Sequence, residues 1–411
     1  MFWKDDRNIV VALEIGSTKI AAAVGEIRPD GSLALLGIGE EPSNHVRKCE
    51  IVDLESAQRC VQDALSDAER KTDVMINEVY LAISGAHIRS VNVRHSATIH
   101  NDDDEITVDD LEHVREMATK NAVPPDYSLI HDILQQYTLD DGTCTLNPVG
   151  LAAKKLQADY HLVYGSTSRL LTSVRCVKEL SIDVKNFALS AYATAQAVLT
   201  AGQKELGAVV INLGGGVTDY IAYLNGMVVH TGVLGVGGEH LTNDIVAGLK
   251  IPYAKAEELK KTEGSLILRQ DQKHDRITLP GAYNFEERQL YRESLVAIMQ
   301  SRMEETLGIV LADLQAQPFW SDFAGTVYFT GGGSQVNGLR ELAQEIFPCP
   351  VELARQFPLD GDQNYARRPD LSTVLGLLQY ARQVELETAP ARGWERMRQG
   401  FKKVLAGFKL I

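Results

Sequence analysis

Apolar residues come in short blocks through the first forty positions. NIVVALEI (8–15) is a β-rich run, Gly16-Ser17-Thr18 a turn, KIAAAVGEI (19–27) a second run and SLALLGIGE (32–40) a third. Pro29-Asp30-Gly31 between the last two is a hairpin signal. The period then changes. Leu54, Ala57, Cys60, Val61, Ala64, Leu65 and Ala68 share one face at helical spacing, and Asp53 stands where an N-cap belongs. EVYLAIS (78–84) returns to strand.

From Gly85 to about Gly165 the character differs. An acidic turn (101–105) leads to a helix that opens on Thr107 and Asp110, a capping-box spacing, and runs through LEHVREMATK. LIHDILQQYTL (129–139) and ADYHLVYG (158–165) read as two strands. The segment is predicted to be a small inserted subdomain. After Ser166 helix and strand alternate again. SRLLTSVRCVKEL (168–180) and KNFALSAYATAQAVLTAG (185–202) read as helices. The stretch 207–238 then reads as strand, glycine turn, strand, Asn225-Gly226 hairpin, strand, which repeats the order at the N-terminus. Two such halves predict a duplicated α/β fold. Residues 287–310 read as one long helix, a third glycine turn follows TVYFT (326–330), and 385–393 reads as a linker. In the last segment, 393–411, Trp394, Met397, Phe401, Val404, Leu405 and Phe408 form one apolar stripe opposite a basic face, the pattern of an interfacial membrane helix.

Charge sharpens that last reading. The whole chain carries −14, but Arg392 to Ile411 holds six Lys/Arg and one Glu, a local +5 that leaves −19 on the other 391 residues. The tail is drawn to anionic lipid while the body is repelled. The acidic body argues against nucleic acid as a partner. No run reaches about 18 apolar residues, so no spanning segment is expected, and the charged N-terminus does not fit a signal peptide. Five scattered cysteines without C-x-x-C fit thiols in a reducing compartment, and the ten histidines lack zinc-site spacing.

Three turns that follow strands carry small and hydroxyl residues: Glu14-Ile15-Gly16-Ser17-Thr18-Lys19, Asn212-Leu213-Gly214-Gly215-Gly216-Val217-Thr218-Asp219 and Thr330-Gly331-Gly332-Gly333-Ser334. Glycine lets backbone N–H groups approach phosphate oxygens, hydroxyls add donors, and Lys19 adds a point charge. There is no G-x-x-x-x-G-K-[ST], and the first two turns lead into strands, not helices, which excludes the P-loop and argues against a dinucleotide-binding fold. Gly237 and Gly238 precede a helix whose N-terminus suits an anion. Glu257 and Lys260 lie three apart on one helix face, either a ligand pair or an exposed ion pair.

Phosphate hairpins from two similar halves facing across a cleft resemble the actin/Hsp70/hexokinase arrangement. Within it, the segments VALEIGSTKIAAAVGE, VYLAISGAHI, KELGAVVINLGGGVTDYIAYLNG, GVGGEHLTNDIVAGL, AEELKKTEG, VYFTGGGSQVNGL and VLGLLQYA resemble the bacterial cell-division family FtsA. The resemblance implies an actin-like (ribonuclease H-like) pair of duplicated domains around a nucleotide cleft, with an FtsA-type inserted subdomain and a C-terminal amphipathic helix. It divides the chain into subdomain 1A (1–84 and 166–205), 1C (85–165), 2A (206–245 and 321–384, returning to 1A), 2B (246–320), a linker (385–392) and a membrane-targeting helix (393–411). It implies ATP and Mg²⁺ as cofactors, held by the three turns, with Glu257 and Lys260 at ribose and adenine. Glu14, Asn212 and Asp219 would meet the metal through water, and Gln196 would orient the attacking water. Asn212 stands where many relatives have aspartate, so hydrolysis is expected to be slow or undetectable. Arg292 and Arg302, with Leu295, Val296, Met299 and Met303 as adjacent apolar surface, resemble the region that binds the FtsZ C-terminal peptide. Self-assembly, other divisome proteins and an anionic membrane surface at the division septum complete the expected partners. The alternatives are a PilM-like pilus-assembly platform and a small-molecule kinase of the same superfamily. The basic tail disfavours both.

Overall fold

The computed structural model describes residues 7–43, 45–100, 104–120, 122–279, 287–357, 359–361 and 364–388. The tail stripe from Trp394 to Phe408 therefore lies outside the described residues.

β1 (Asn8–Ile15), β2 (Lys19–Ile27) and β3 (Leu33–Pro42) form the expected antiparallel meander, with β1 and β2 in full register from Asn8↔Ile27 to Ile15↔Ile20. A small hairpin, β4 (Val46–Arg47) and β5 (Glu50–Ile51), turns on Lys48 and Cys49, both at positive φ. α1 (Leu54–Thr72) starts where Asp53 accepts the Ser56 N–H at 3.2 Å, and it buries Ala57, Val61, Ala64, Leu65 and Ala68 on the sheet. β6 (Glu78–Ile83) then pairs parallel with β1.

The next segment builds its own sheet from β7 (Arg89–Thr98), β8 (Tyr127–Leu139), β9 (Cys144–Thr145) and β10 (Lys155–Ser166), ordered β7-β10-β8-β9, with α2 (Val108–Lys120) packed on it. Thr107 and Asp110 cap α2 reciprocally, at 2.9 and 3.4 Å. β7 is a strand the sequence reading lacked. RSVNVRHSAT is an edge strand with no fully buried side chain, so its apolar alternation is thin.

α3 (Thr167–Lys178) follows as expected. The long helix expected over 185–202 is instead divided into β11 (Asp183–Leu189), α4 (Ser190–Val198) and α5 (Ala201–Leu206). The open edge of β6 takes β11 in parallel, and that pairing outweighs local helix propensity.

The second half repeats the first. β12 (Ala208–Leu213), β13 (Thr218–Leu224) and β14 (Met227–Leu234) form a meander, with Asn225 and Gly226 both at positive φ in the hairpin turn. After them come α6 (Gly238–Leu249), α7 (Tyr253–Thr262), the pair β15 (Arg276–Leu279) and β16 (Arg288–Tyr291), α8 (Arg292–Gln315), β17 (Thr326–Thr330), α9 (Leu339–Ile346), β18 (Val351–Leu353), β19 (Asp360–Gly361) and α10 (Ser372–Thr388). The helix expected from 287 thus starts at Arg292, because 288–291 pair as β16. Residues 385–388, expected in a linker, continue α10.

The two main sheets read β3-β2-β1-β6-β11, with β19 beside β3, and β14-β13-β12-β17-β18. Each is three antiparallel strands followed by two parallel ones. α10 packs on α4, β1, β2 and β6, so the chain ends on its first half. The crossing with α4 is close: a Cβ on Gly376 would lie 1.9 Å from the Ala193 carbonyl oxygen. No helix among the described residues is long and apolar enough to cross a membrane.

Candidate functional site

The β1–β2 and β12–β13 turns are closed by the same bond. Gly16 N–H donates to Lys19 O and Gly214 N–H to Val217 O, each at 3.0 Å. Counting from these bonds, Glu14 corresponds to Asn212, Ser17 to Gly215 and Thr18 to Gly216. The turns press against each other. A Cβ on Gly215 would lie 2.3 Å from Thr18 Cγ2, and one on Gly216 would lie 2.2 Å from Ser17 Oγ. Around this junction is a cleft of about 670 Å³, lined by both turns, by Gly237, Gly238, Glu257 and Lys260, by Gly331, Gly332 and Gly333, and by Arg368, Asp370 and Thr373.

Two carboxyl groups sit at its base. Asp219 is 3% exposed, accepts a hydrogen bond from Ser84 Oγ, and is pushed up to about 7 by burial. Glu14 is only partly buried as a residue, but its Oε2 is sealed and has no hydrogen-bond partner among the described residues. Burial pushes Glu14 up to about 7, with Lys19 opposing and the Asp219 charge adding. Asn212, opposite Asp219 in the β12–β13 register, donates through Nδ2 to Thr373 Oγ1 at 3.2 Å. Two carboxyls poised near neutrality, one with a free buried oxygen, suit a hydrated divalent cation, whose charge would favour both ionised forms. Among the described residues no three His, Cys, Asp or Glu side chains converge as direct metal ligands, so contact through water fits this donor set best.

Several candidates hold different positions from those expected. Lys19 lines the cleft, but its ammonium pairs with Asp370 at 2.5 Å and Glu40 at 3.1 Å. The first amides of α6 are already engaged: Gly238 N–H donates to Gly214 O and Glu239 N–H to Gly215 O. That helix N-terminus therefore braces the second turn and is not free for an anion. Thr218 Oγ1 donates to Val236 O. Ser334 turns away from the cleft and donates to Gly331 O at 2.7 Å, so it fixes the third turn from behind. Glu257 and Lys260 do face the cleft, paired at 2.7 Å, with Lys260 also donating to Thr242 Oγ1 and Gly238 O.

Gln196 does not reach the cleft. Its Oε1 accepts from Lys204 Nζ at 2.9 Å, and it borders a separate cavity with Phe357 and Arg382. Six residues on α4 turn its side chain well away from Ser190, which is the α4 residue that lines the cleft. Arg292 pairs with Glu263 at 2.5 Å, and Arg302 pairs with Asp244 and with Glu305. The expected apolar strip beside them is not a surface. Leu295, Val296, Met299 and Met303 are 0–3% exposed, and Leu295, Met299 and Met303 belong to the core of the second half. Ser84, Glu40, Arg368, Asp370 and Thr373 were absent from the sequence reading. The nearest signal was Pro369-Asp370-Leu371-Ser372, a helix-start pattern just ahead of α10.

Known proteins match this architecture. A family model for "Cell division protein FtsA" matches residues 209–376, and one for "SHS2 domain inserted in FTSA" matches 85–164. The cell-division protein FtsA of Escherichia coli K12 is 33% identical over 388 residues, covering 93% of this chain and 92% of its own. That of Pseudomonas aeruginosa is 32% identical over 375 residues, covering 91% and 89%. Among solved structures, a PilM-PilN type IV pilus biogenesis complex aligns with a TM-score of 0.65 at 13% identity, covering 91% of this chain and 98% of its own. MreB5 of Spiroplasma citri bound to ADP aligns with a TM-score of 0.54 at 15% identity, covering 93% and 99%. At such identities the structures speak for the fold alone. Similarity above 30% identity along nearly the full length of both chains, on an actin-like frame with this insertion, means that the chain belongs to the FtsA family of cell-division proteins.

Proposed function

We propose that this chain binds ATP with Mg²⁺ in the cleft between its halves, assembles with copies of itself on a membrane surface, and tethers FtsZ filaments there. The observation that carries the nucleotide reading is the cleft itself. Two glycine and hydroxyl turns, one from each half, meet over a pair of carboxyls, one of which has a buried oxygen without a hydrogen-bond partner among the described residues. MreB5, of related fold, has been solved bound to ADP and to AMPPNP.

In this reading the backbone N–H groups of Gly215 and Gly216 and the hydroxyls of Ser17 and Thr18 take the phosphate oxygens, while the Gly214 N–H keeps the bond that closes its turn. Glu14, Asp219 and the Asn212 carbonyl hold waters around the cation. Glu257 and Lys260 meet the ribose and adenine, with Gly331–Gly333 beneath the base. A bound Mg²⁺ draws charge from the phosphate oxygens. Turnover is slow, because Asn212 brings no charge and Gln196 stands outside the cleft. The stripe Trp394, Met397, Phe401, Val404, Leu405 and Phe408, with the basic face opposite, supplies lipid binding that gains from multivalency in a filament. Arg292 and Arg302 would exchange their present carboxylates for those of an acidic FtsZ peptide. Subdomain 1C, at 85–165, is the surface left for other divisome proteins.

One series of measurements tests the reading. Purified protein is titrated with ATP and Mg²⁺, then sedimented with anionic vesicles as wild type and as Trp394→Glu/Phe401→Glu. An FtsZ C-terminal peptide is titrated against wild type and Arg302→Glu. The reading requires saturable ATP binding, vesicle binding that the tail variant loses, and weaker peptide binding to Arg302→Glu. Rapid phosphoryl transfer to a small acceptor would overturn it.

A further inference from the structure

Lys19 leaves the first turn with its ammonium held by two carboxylates, Asp370 at 2.5 Å and Glu40 at 3.1 Å. Arg368 grips the same two groups. Its Nη1 and Nη2 lie 2.5 and 2.7 Å from the Glu40 oxygens, and Nη2 lies 2.6 Å from Asp370 Oδ2. Two cations and two anions thus share one closed cluster. Lys19, Arg368 and Asp370 line the cleft, and Glu40 stands behind them.

We propose that Arg368 is a positioning residue: it holds Glu40 and Asp370 as their second cation, so that Lys19 is free to turn from them to a polyphosphate bound between the two turns. This deepens the nucleotide reading and rests on it. The argument is one of charge. If Lys19 alone served both carboxylates, its departure would leave two bare anions beside the phosphates, and like charges at short range oppose binding. With Arg368 present the pair keeps a counterion. The guanidinium suits the fixed role, because its planar fork grips carboxylates at two points at once, whereas an ammonium on a flexible stem can swing between partners. The cluster does not discharge by taking up protons near neutrality. Although burial works to raise it, Arg368 and Lys19 hold Asp370 down at about 2, and the same cations hold Glu40 below its ordinary value. Lys19 is also close enough for its charge to be felt at Glu14, on the side of the carboxyl pair at the base of the cleft. The exchange is therefore ion for ion, with the ammonium moving and the guanidinium staying.

The test uses full-length protein, Mg²⁺ and fluorescent analogues of ATP and ADP. The variants are Arg368→Gln, Arg368→Lys, Asp370→Asn and Arg368→Gln/Asp370→Asn. Arg368→Gln is expected to weaken the triphosphate about tenfold and the diphosphate less, since the extra negative charge opposes the more charged ligand more strongly. Arg368→Lys should fall between it and wild type. The double variant should recover to within about threefold of wild type, because removing one carboxylate restores the charge balance. A merely structural ion pair would lower the melting temperature in Arg368→Gln without changing the ATP/ADP ratio, and without recovery in the double variant, and that result overturns the proposal. Should Arg368→Gln fail to fold, Asp370→Asn decides: binding equal to or tighter than wild type supports the proposal, and weaker binding rejects it. Wild-type protein that binds neither nucleotide removes the nucleotide reading and this inference together. Wild-type binding matched by every variant removes only this inference.

Discussion

The two turns at the centre of the cleft have the same backbone and opposite side chains. Both are closed by a 3.0 Å bond from the glycine N–H, and both join antiparallel strands, the first of which carries a polar residue next to its end, Glu14 in one and Asn212 in the other. The first turn then carries Ser17, Thr18 and Lys19, while the second carries three glycines and Val217. Steric room explains the difference. Where Gly215 and Gly216 meet Thr18 and Ser17 there is space for one set of side chains, not two. Duplication supplied two equal hairpins, and closing them on each other required that one supply functional groups and the other only backbone. The two carboxyls likewise come from positions that do not correspond. Glu14 belongs to the first half and Asp219 to the second, and Asn212 keeps a third charge from the same small space.

The strongest challenge to this comparison is Gly216→Ala. Its Cβ would lie 2.2 Å from Ser17 Oγ and 2.8 Å from the Lys48 backbone nitrogen, and the second contact cannot be relieved by a rotamer change. Nucleotide binding should weaken on the order of a hundredfold, with about 1–3 kcal/mol lost in stability, read by titration and thermal melting. The three atoms nearest a Cβ on Gly215 all belong to the Thr18 side chain, the closest being its methyl carbon, so pairing Gly215→Ala with Thr18→Ser, which keeps the hydroxyl, should restore part of the loss. Wild-type binding by Gly216→Ala would show that the turns do not meet.

Next in size is the response to pH. Glu14 and Asp219 both take up protons near 7, so lowering the pH from 8 to 6 should weaken Mg²⁺ binding by about tenfold or more. In cation-free protein the sign reverses. The folded chain keeps protons that the unfolded chain releases near pH 4, so stability from these groups is greatest in acid, declines as pH rises from about 4 to about 7, and levels off above that. Melting curves in chelator from pH 5 to 8 check this, and Asp219→Asn should flatten the decline.

Asn212→Asp makes the two halves more alike. It places a carboxylate opposite Asp219 and should cost about 1–3 kcal/mol without cation, with recovery in millimolar Mg²⁺. Equal melting temperatures with and without Mg²⁺ would argue that the asparagine has no bearing on the cation. The smallest effect belongs to Ser84→Ala. The Ser84 hydroxyl favours ionised Asp219, so its loss should move the midpoint of the pH effect upward by a few tenths and change cation affinity by only a few fold.

Local chemistry was legible in the chain wherever a few adjacent residues decide the outcome. Asp53 capping α1, the Thr107–Asp110 box and the Asn225-Gly226 turn each involve groups within four positions. The failures share one cause. β11 reads as helix in the sequence because its strand character comes from pairing with β6, about a hundred residues earlier. β16 reads as the start of α8 because its strand character comes from its partner β15. Arg292 and Arg302 looked available because Glu263 and Asp244, which hold them, lie 29 and 58 residues away. The apolar residues beside them read as a binding strip, but α8 buries them.

The sequence by itself determined the strand hairpins of the two halves, the insertion within the first half, the glycine turns and the uneven charge of the tail. Strand alternation, turn dihedrals and capping are short-range, and composition is carried by the chain whatever its fold. Only the tertiary structure decided which groups face the cleft. It brought Lys19 to Asp370 across 351 positions and Ser84 to Asp219 across 135. It turned Gln196 and Ser334 away, and it engaged the first amides of α6 with the second turn. A buried polar group takes whichever partner packing places within hydrogen-bond reach, and sequence spacing does not record that distance.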